Sequence, residues 1–446
     1  MKIAGSVVIL AALVAVTPCA SAQEPDTSGR SAPVSPIGGG ASAPEVSALM
    51  PGPAPALASI NQPSIGRVLT PPTLFNPRFQ ILQTMDTNPG LQTGGDSLQG
   101  ITYLSGGIAM SRRYRHQQMG LQYTGGGSFY SQATQLNNTF HEFNASLQNS
   151  SGRTSWALSQ HFSYLPDSPG GFGGSPVLGV DPSILSLRPE LMGNQSVFNR
   201  ITRTNATSAA EIRLPRGARS SITLSGSYGL LRFDGPGAVD SDQGGLSVSY
   251  DRRLNRRSSL GINYKGSVVR FVGTSGLLDS HSFILGYTHQ ITGRMSLEAG
   301  GGPQITNPHD IGISNRIISA TLHSNFNYRL NKAGVGLNYS RSVTGGAGAF
   351  GGSFSDQVSF NASRPISRTA DARMEVGYSR NADLTHANHY SSWLAGANIN
   401  RRLGRTVALF LDYKMYYQNF TASTASPLRH VLGLGFSWEG MPIRRH

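Results

Sequence analysis

LSVSYDRRLNRRSSLGINYKGSV, Leu246 to Val268, holds one complete copy of the pattern that recurs along the chain. Leu246, Val248 and Tyr250 alternate with Ser247, Ser249 and Asp251; after the turn RRLNRR, Leu260, Ile262 and Tyr264 alternate with Gly261, Asn263 and Lys265. A period of two puts the apolar side chains on one face of an extended strand, whereas a helix would bring together residues three and four apart. The stretch therefore reads as two adjacent half-apolar strands joined by a short basic turn, and by Leu297 an open loop has passed and the pattern has begun again. A soluble sandwich also uses half-apolar strands, so the choice between sandwich and membrane barrel rests on number, spacing and the start of the chain.

Tight turns on either side of it are centred near 113, 151, 215, 253, 291, 331, 366 and 402, at intervals of 38, 64, 38, 38, 40, 35 and 36. That spacing fits a two-strand hairpin plus one longer loop per repeat. It gives an all-β, up-and-down antiparallel meander of about 18 strands (16–18), running from 79–86 to 429–438, with the alternation blurred in 79–86 and 197–213. The tight turns share one parity and the intervening loops are longer, as in transmembrane barrels with short periplasmic turns and long outer loops, so both termini are expected in the periplasm. Outward faces include Leu224 and Tyr228, Phe283 and Leu285, Leu337 and Tyr339, and Leu409 and Leu411. Tyr250, Tyr287 and Tyr328, each just before a basic turn, suit a water–hydrocarbon boundary.

The first 22 residues have a basic start at Lys2, an apolar run from Val7 to Val16 and an Ala20-Ser21-Ala22 cleavage site, and read as a secretory signal peptide. No stretch approaches the roughly 20 apolar residues of a membrane-spanning helix. The only cysteine, Cys19, lies within the signal, so no disulfide is expected in the exported chain. Residues 23–76, rich in Pro, Ala, Ser and Gly, read as a flexible periplasmic leader; 77–438 as the barrel; 439–446 as a short C-terminal tail.

Hydrophobic residues make up 38% of the chain, a low figure that suits a barrel whose wet interior takes every second position. The formal charge is +14, from 37 Lys and Arg against 23 Asp and Glu, and such a balance raises nucleic-acid binding as a function. The distribution argues against it. Nineteen of the 37 cations sit in the eight short turns, among them Arg252, Arg253, Arg256 and Arg257, and form a rim.

Catalytic and metal chemistry finds little support. His141, His161 and His323 sit apart in ordinary strands, with no Ser and Asp aligned beside them, so no acyl-transfer enzyme is expected. The NPHD motif has His309 and Asp310 but no second carboxylate at ligand spacing, and the Gly-rich GGAGAFGG at 345–352 lacks the Lys and Ser/Thr of a phosphate loop and reads as a flexible outer loop. No cofactor or metal is expected.

With the meander, the Arg-containing turns YDRRLNRR, SRPISRTA and NRRLGRT, and the terminal strand HVLGLGFSW in view, the sequence resembles bacterial outer-membrane β-barrels, namely β-barrel porins and the barrels of exopolysaccharide-export systems, over roughly 77–438. Gly433, Phe436 and Trp438 are similar to the C-terminal assembly signal of that family, although Val431 replaces its usual polar residue and Glu439–His446 extends past the last aromatic. The resemblance implies the outer membrane of a Gram-negative envelope as location, with its lipid and the barrel-assembly machinery as partners. An 18-stranded barrel is wide enough for water, whereas about eight strands would be filled by side chains. The expectation is a passive or gated pore for small hydrophilic solutes, the alternatives being a polymer exporter or a structural, adhesive surface barrel. Lumen candidates are Lys265, Glu298, His323, Arg373, Glu375, Asp412 and Lys414. The long interval exceeds its neighbours by 64 − 38 = 26, and the apolar segment 164–196 resembles the inward-folded constriction loop of general porins, the alternative being an outer lid or packing loop; as a constriction, Asp167, Asp181, Arg188 and Glu190 would place charge at the narrowest point.

Overall fold

The computed structural model describes residues 73–88, 98–114, 116–132, 137–151, 154–165, 202–234, 239–273, 275–310, 315–345, 352–420, 428–440 and 443–444. All lie in the second of the two units into which the chain divides, Gly39–His446. The expected signal peptide, 1–22, and nearly all of the expected leader, 23–76, fall outside the described residues.

Eighteen long strands follow one another in chain order. They are β1 (Thr73–Asp86), β2 (Gln99–Tyr114), β3 (Gln117–Tyr130), β4 (Asn138–Ser151), β5 (Thr154–Leu165), β6 (Thr202–Pro215), β7 (Ser220–Asp234), β8 (Ser241–Arg253) and β9 (Ser258–Phe271). The second half is β10 (Leu277–Thr292), β11 (Met295–His309), β12 (Ile317–Arg329), β13 (Gly334–Thr344), β14 (Ser353–Pro365), β15 (Ala370–Asp383), β16 (His389–Arg402), β17 (Val407–Phe420) and β18 (Leu428–Glu439), with a two-residue β19 (Ile443–Arg444) behind it. No helix occurs among the described residues. Each strand pairs antiparallel with its chain neighbours, and β1 pairs with both β2 and β18, in the register Phe79↔Trp438 and Thr84↔Gly433, which closes the sheet into a barrel. Closure removes the sheet edges that would otherwise leave backbone groups unpaired in hydrocarbon.

The 18 strands match the expected set, and 258–271 and 334–344 match to the residue. Most other strand ends move by a few residues, and two shifts alter the ends of the barrel. β1 begins at Thr73, ahead of the expected strand 79–86 and of the expected barrel start at 77, because Pro77 is accommodated inside the strand: it keeps its carbonyl, which accepts a hydrogen bond from Gly440 N at 2.8 Å. The C-terminal tail is partly sheet, since Ile443 and Arg444 of β19 pair with Phe75 and Leu74 of β1. The start of β1 lies opposite Arg112 beside the β2–β3 turn, and Glu439 N donates to Thr406 O of the β16–β17 turn at 2.7 Å, so both ends of the barrel sit at the short-turn rim.

The wall has the polarity of a membrane protein. Leu246 is 59% exposed, Leu285 55%, Ile262 55% and Leu434 54%, while Ser249 is 2% exposed, Ser379 1% and Asn400 1%. In a water-soluble fold the large apolar side chains would be the hidden ones. Here they form the outside of a closed sheet and hydroxyls and amides face inward, the arrangement lipid requires of a β-barrel. Tyr250 and Tyr287 are exposed on that outer surface just before their basic turns, where a girdle was expected.

Candidate functional site: the barrel lumen

Inward positions follow from the alternation. On β7 and β8, Thr223, Ser225, Ser247, Ser249 and Asp251 line the interior, with Ser225 Oγ 2.5 Å from Ser247 Oγ across the strand pair; on β15 and β16, Ser379 Oγ and Ser392 Oγ are 2.6 Å apart. Small hydroxyl side chains keep the wall thin, and these two serine pairs satisfy one another across their strands.

All seven expected lumen residues have inward parity, and four of them are gathered on neighbouring strands. Glu375 on β15 is level with Gly396 on β16 and Lys414 on β17. A Cβ at Gly396 would come within 2.9 Å of Glu375 Oε1, so the glycine is what lets the carboxylate lie over β16 toward Lys414. Lys414 Nζ is 3.8 Å from Asp412 Oδ2, and the charges of Asp412 and Glu375 both act on it. Arg373, two residues below Glu375, faces Asp371 at 3.4 Å. Lys265, Glu298 and His323 are separate: Lys265 pairs with Ser247 and Ser282, Glu298 with Thr288 and Asn325, and His323 lies over Gly300, where a Cβ would meet its ring at 2.3 Å.

The histidines do not converge. His141 accompanies Tyr123, Nδ1 to hydroxyl 2.9 Å, on the outer surface, and His161 Nδ1 is 2.7 Å from Asn144 Oδ1 inside. Asp167, Asp181, Arg188 and Glu190 lie outside the described residues. Of the assembly-signal residues, Phe436 and Trp438 face outward, and Gly433 faces inward, where a Cβ would press on Leu82 Cδ1 at 2.9 Å.

Two features were not read from the sequence. The inner wall is not uniformly wet: Leu82, Ile101, Tyr103, Tyr130, Phe140 and Phe410 form a buried apolar cluster on the inward side of β1–β4 and β17. And the long-loop mouth is narrowed from the β13–β14 side. Beyond the pair Leu322↔Arg341, β13 leaves β12, and its Val343 is clasped by the inward side chain of Gln304 on β11: the Gln304 amide donates to Val343 O at 3.2 Å and accepts from Val343 N at 3.0 Å. The hairpin thus leans over the inner face of β12. Its two described shoulders reach further still, for a Cβ at Gly345 would meet Val269 Cγ1 of β9 at 3.0 Å, and one at Gly352 would meet Leu384 at 2.7 Å and Leu278 of β10 at 3.4 Å. Gly352 also has φ +111°, which a side chain would strain. Val269, Phe271, Leu278, Val343 and Leu384 form a buried apolar cluster there. From β13 to β9 is four strand spacings, about 19 Å around the wall. The expectation of a simple outer loop at 345–352 is thus corrected at its two described ends, which pack on the interior.

No protein-family model matches this chain, and no curated protein matches it. Among solved structures, the chain is similar to the outer membrane protein OpdK of Pseudomonas aeruginosa, with TM-score 0.45, 10% identity, and 83% of this chain and 99% of that one covered. It is also similar to OccK2 (OpdF) of the same organism, with TM-score 0.46, 10% identity and 82% and 97% covered. A third is OccAB4 of Acinetobacter baumannii, with TM-score 0.44, 9% identity and 82% and 98% covered.

Proposed function

We propose that the chain is an outer-membrane pore through which small hydrophilic solutes diffuse, with its short-turn rim and both barrel ends on the periplasmic side. The observation that supports this reading is the inverted polarity of a closed 18-stranded sheet: Leu246, Ile262, Leu285 and Leu434 exposed outside, and Ser, Asn and the Glu375–Lys414–Asp412 group within. Eighteen strands enclose more volume than their own side chains fill, so the interior admits water. Export through a signal peptide at 1–22, and recognition of Gly433, Phe436 and Trp438 by the assembly machinery, belong to the same reading.

Single-channel recording of the purified protein in planar bilayers tests it. Stepwise, ohmic conductance with an ion preference is the expected result. A heat-modifiable, membrane-inserted protein that passes no current would leave a structural barrel in its place.

A further inference from the structure

The short turns of the described rim share one composition. Residues 216–219 read RGAR, 252–257 RRLNRR, 291–294 ITGR, 329–333 RLNKA, 364–369 RPISRT and 401–406 RRLGRT, and none of the six contains an acidic residue. Arg216, Arg219, Arg253, Arg256, Arg294, Lys332, Arg368 and Arg405 are all exposed. The carboxylates at this height, Glu211, Asp251, Asp371 and Glu439, have inward parity and leave the outer side of the rim to cations such as Arg252, Arg364 and Arg401, all exposed.

Four of the turns also carry a large apolar residue at one and the same place, the first position beyond the entering strand: Leu254, Leu330, Ile366 and Leu403. Each donates its backbone N–H across its turn: Leu254, Ile366 and Leu403 to the carbonyl four residues on, Ser258 O at 2.9 Å, Ala370 O at 2.8 Å and Val407 O at 3.0 Å, and Leu330 to the carbonyl three residues on, Ala333 O at 2.7 Å. Each is nonetheless exposed, by 44% to 60%. A single surface leucine needs no explanation. The same apolar residue in the same turn position on four hairpins, flanked each time by cations, does, because turn tips in water favour Asn, Asp, Gly and Ser.

Continuity with the barrel wall identifies the occupant. Exposed Tyr250, Tyr287 and Trp438 stand just above these turns, so the apolar knuckles extend the lipid-facing surface past the strand ends. An apolar tip between guanidinium groups suits the boundary of an anionic monolayer, with the tip at the acyl edge and the cations on phosphate oxygens. An acidic polymer or protein would use the cations alone.

We propose that the short-turn rim is a docking surface for anionic phospholipid headgroups of the periplasmic leaflet, which hold the barrel at a fixed depth. The inference rests on the membrane-spanning reading above. The full-length protein is folded into vesicles of phosphatidylcholine with a minority of phosphatidylglycerol, and the preference of its lipid shell for spin-labelled phosphatidylglycerol over phosphatidylcholine is measured against salt. Native protein should enrich phosphatidylglycerol, by roughly fivefold at a site for each cation that engages a phosphate, and lose the enrichment in high salt. Arg252→Gln with Arg256→Gln and Arg405→Gln should abolish most of it, and Leu254→Ser with Leu403→Ser should weaken it. No enrichment in native protein, or enrichment untouched by both variants, overturns the proposal; so does binding of the rim to isolated cell-wall sacculi without any lipid preference. Lipopolysaccharide serves as the control anion, and its enrichment should not respond to the rim variants. The salt titration decides on native protein even if a variant fails to fold. Conductance separates the two readings: a barrel that inserts and conducts but does not sort lipids refutes only the docking surface, whereas one that never inserts refutes the pore.

Discussion

Arg429 on the last long strand grips Asp86 on the first with a forked contact across 343 residues of sequence: its Nε lies 3.0 and 2.9 Å from the two carboxylate oxygens, and its Nη2 meets one of them. The pair fastens the seam at the long-loop end, where Thr87 N also donates to His430 O at 3.1 Å, while Asn76 Nδ2 donates to the Glu439 carboxylate at the other end. Arg429 further lies over the Tyr416 ring, 5.9 Å from its centroid. Its side chain is 3% exposed and that of Asp86 0%, so removing one partner leaves the other charge buried and uncompensated. Asp86→Asn or Arg429→Gln should each cost about 3 kcal/mol, seen as a lower urea midpoint for loss of the fast-migrating folded band on unheated gels. The double variant should cost less than the sum of the two. Full additivity would mean that the two side chains do not act as a pair.

Adjacent residues of one strand face lipid and lumen in turn. Leu337 is exposed on the outer wall and Asn338, next to it on β13, faces the interior with its Nδ2 3.3 Å from Ser359 Oγ. Leu337→Arg places a charge in lipid, at about 2–4 kcal/mol if it lies near the midplane, whereas Asn338→Arg places it in the lumen. Folding yield into vesicles should fall for the first, and conductance should change for the second. Equal losses in yield would invert or abolish the assigned parity.

Most of the barrel was legible because lipid imposes a period of two on every strand, and the fold has no other element to compete with it. The shortfall at β1 came from Pro77, which reads as a break in a sequence but occupies a strand whose hydrogen bonding is completed on both sides, by β2 and β18. The site was legible only by face. That Glu375 and Lys414 share a level depends on the registers of β15, β16 and β17, and alternation says which way a residue points but not how far along its neighbour it stands. The inward apolar cluster around Phe140 and Phe410 was missed for a related reason: Gly126 and Gly435, over which these rings lie, look in sequence like ordinary small lumen residues. Nothing local marks the clasp of Gln304 on Val343, because β13 must first peel away from β12 for it to form.

That clasp sets how firmly the mouth is narrowed. Gln304 supplies both a donor and an acceptor to one backbone residue, two hydrogen bonds worth about 1 kcal/mol each in net stability. Gln304→Leu keeps the bulk and removes both. The β13–β14 shoulders then keep the apolar packing of Val343, Gly345 and Gly352 on Val269, Leu278 and Leu384 but lose both hydrogen bonds. Single-channel records should show a higher mean conductance or more frequent switching between levels, with the folded band on gels unchanged. Conductance identical to that of the native protein, switching included, would take the hairpin out of the ion path.

The charge group at Lys414 should set the ion preference of the pore. Lys414 stands between two carboxylates, Asp412 at 3.8 Å and Glu375 across Gly396, so the three side chains together carry one negative charge when all are ionised. Lys414→Gln leaves both carboxylates without their cation and should move the reversal potential in a salt gradient toward cation preference. Glu375→Gln leaves one cation against one anion and should move it the other way. Lys265→Gln removes a cation paired with Ser247 and Ser282, away from this group, and should shift the potential less than Lys414→Gln does. The recordings belong at low ionic strength, because at 0.1 M salt the screening length is already about 10 Å and mobile ions begin to mask fixed charges at the wall. Opposite shifts for Lys414→Gln and Glu375→Gln are the expected signature; shifts of the same sign, or none at low salt, would show that permeating ions do not pass this part of β15–β17.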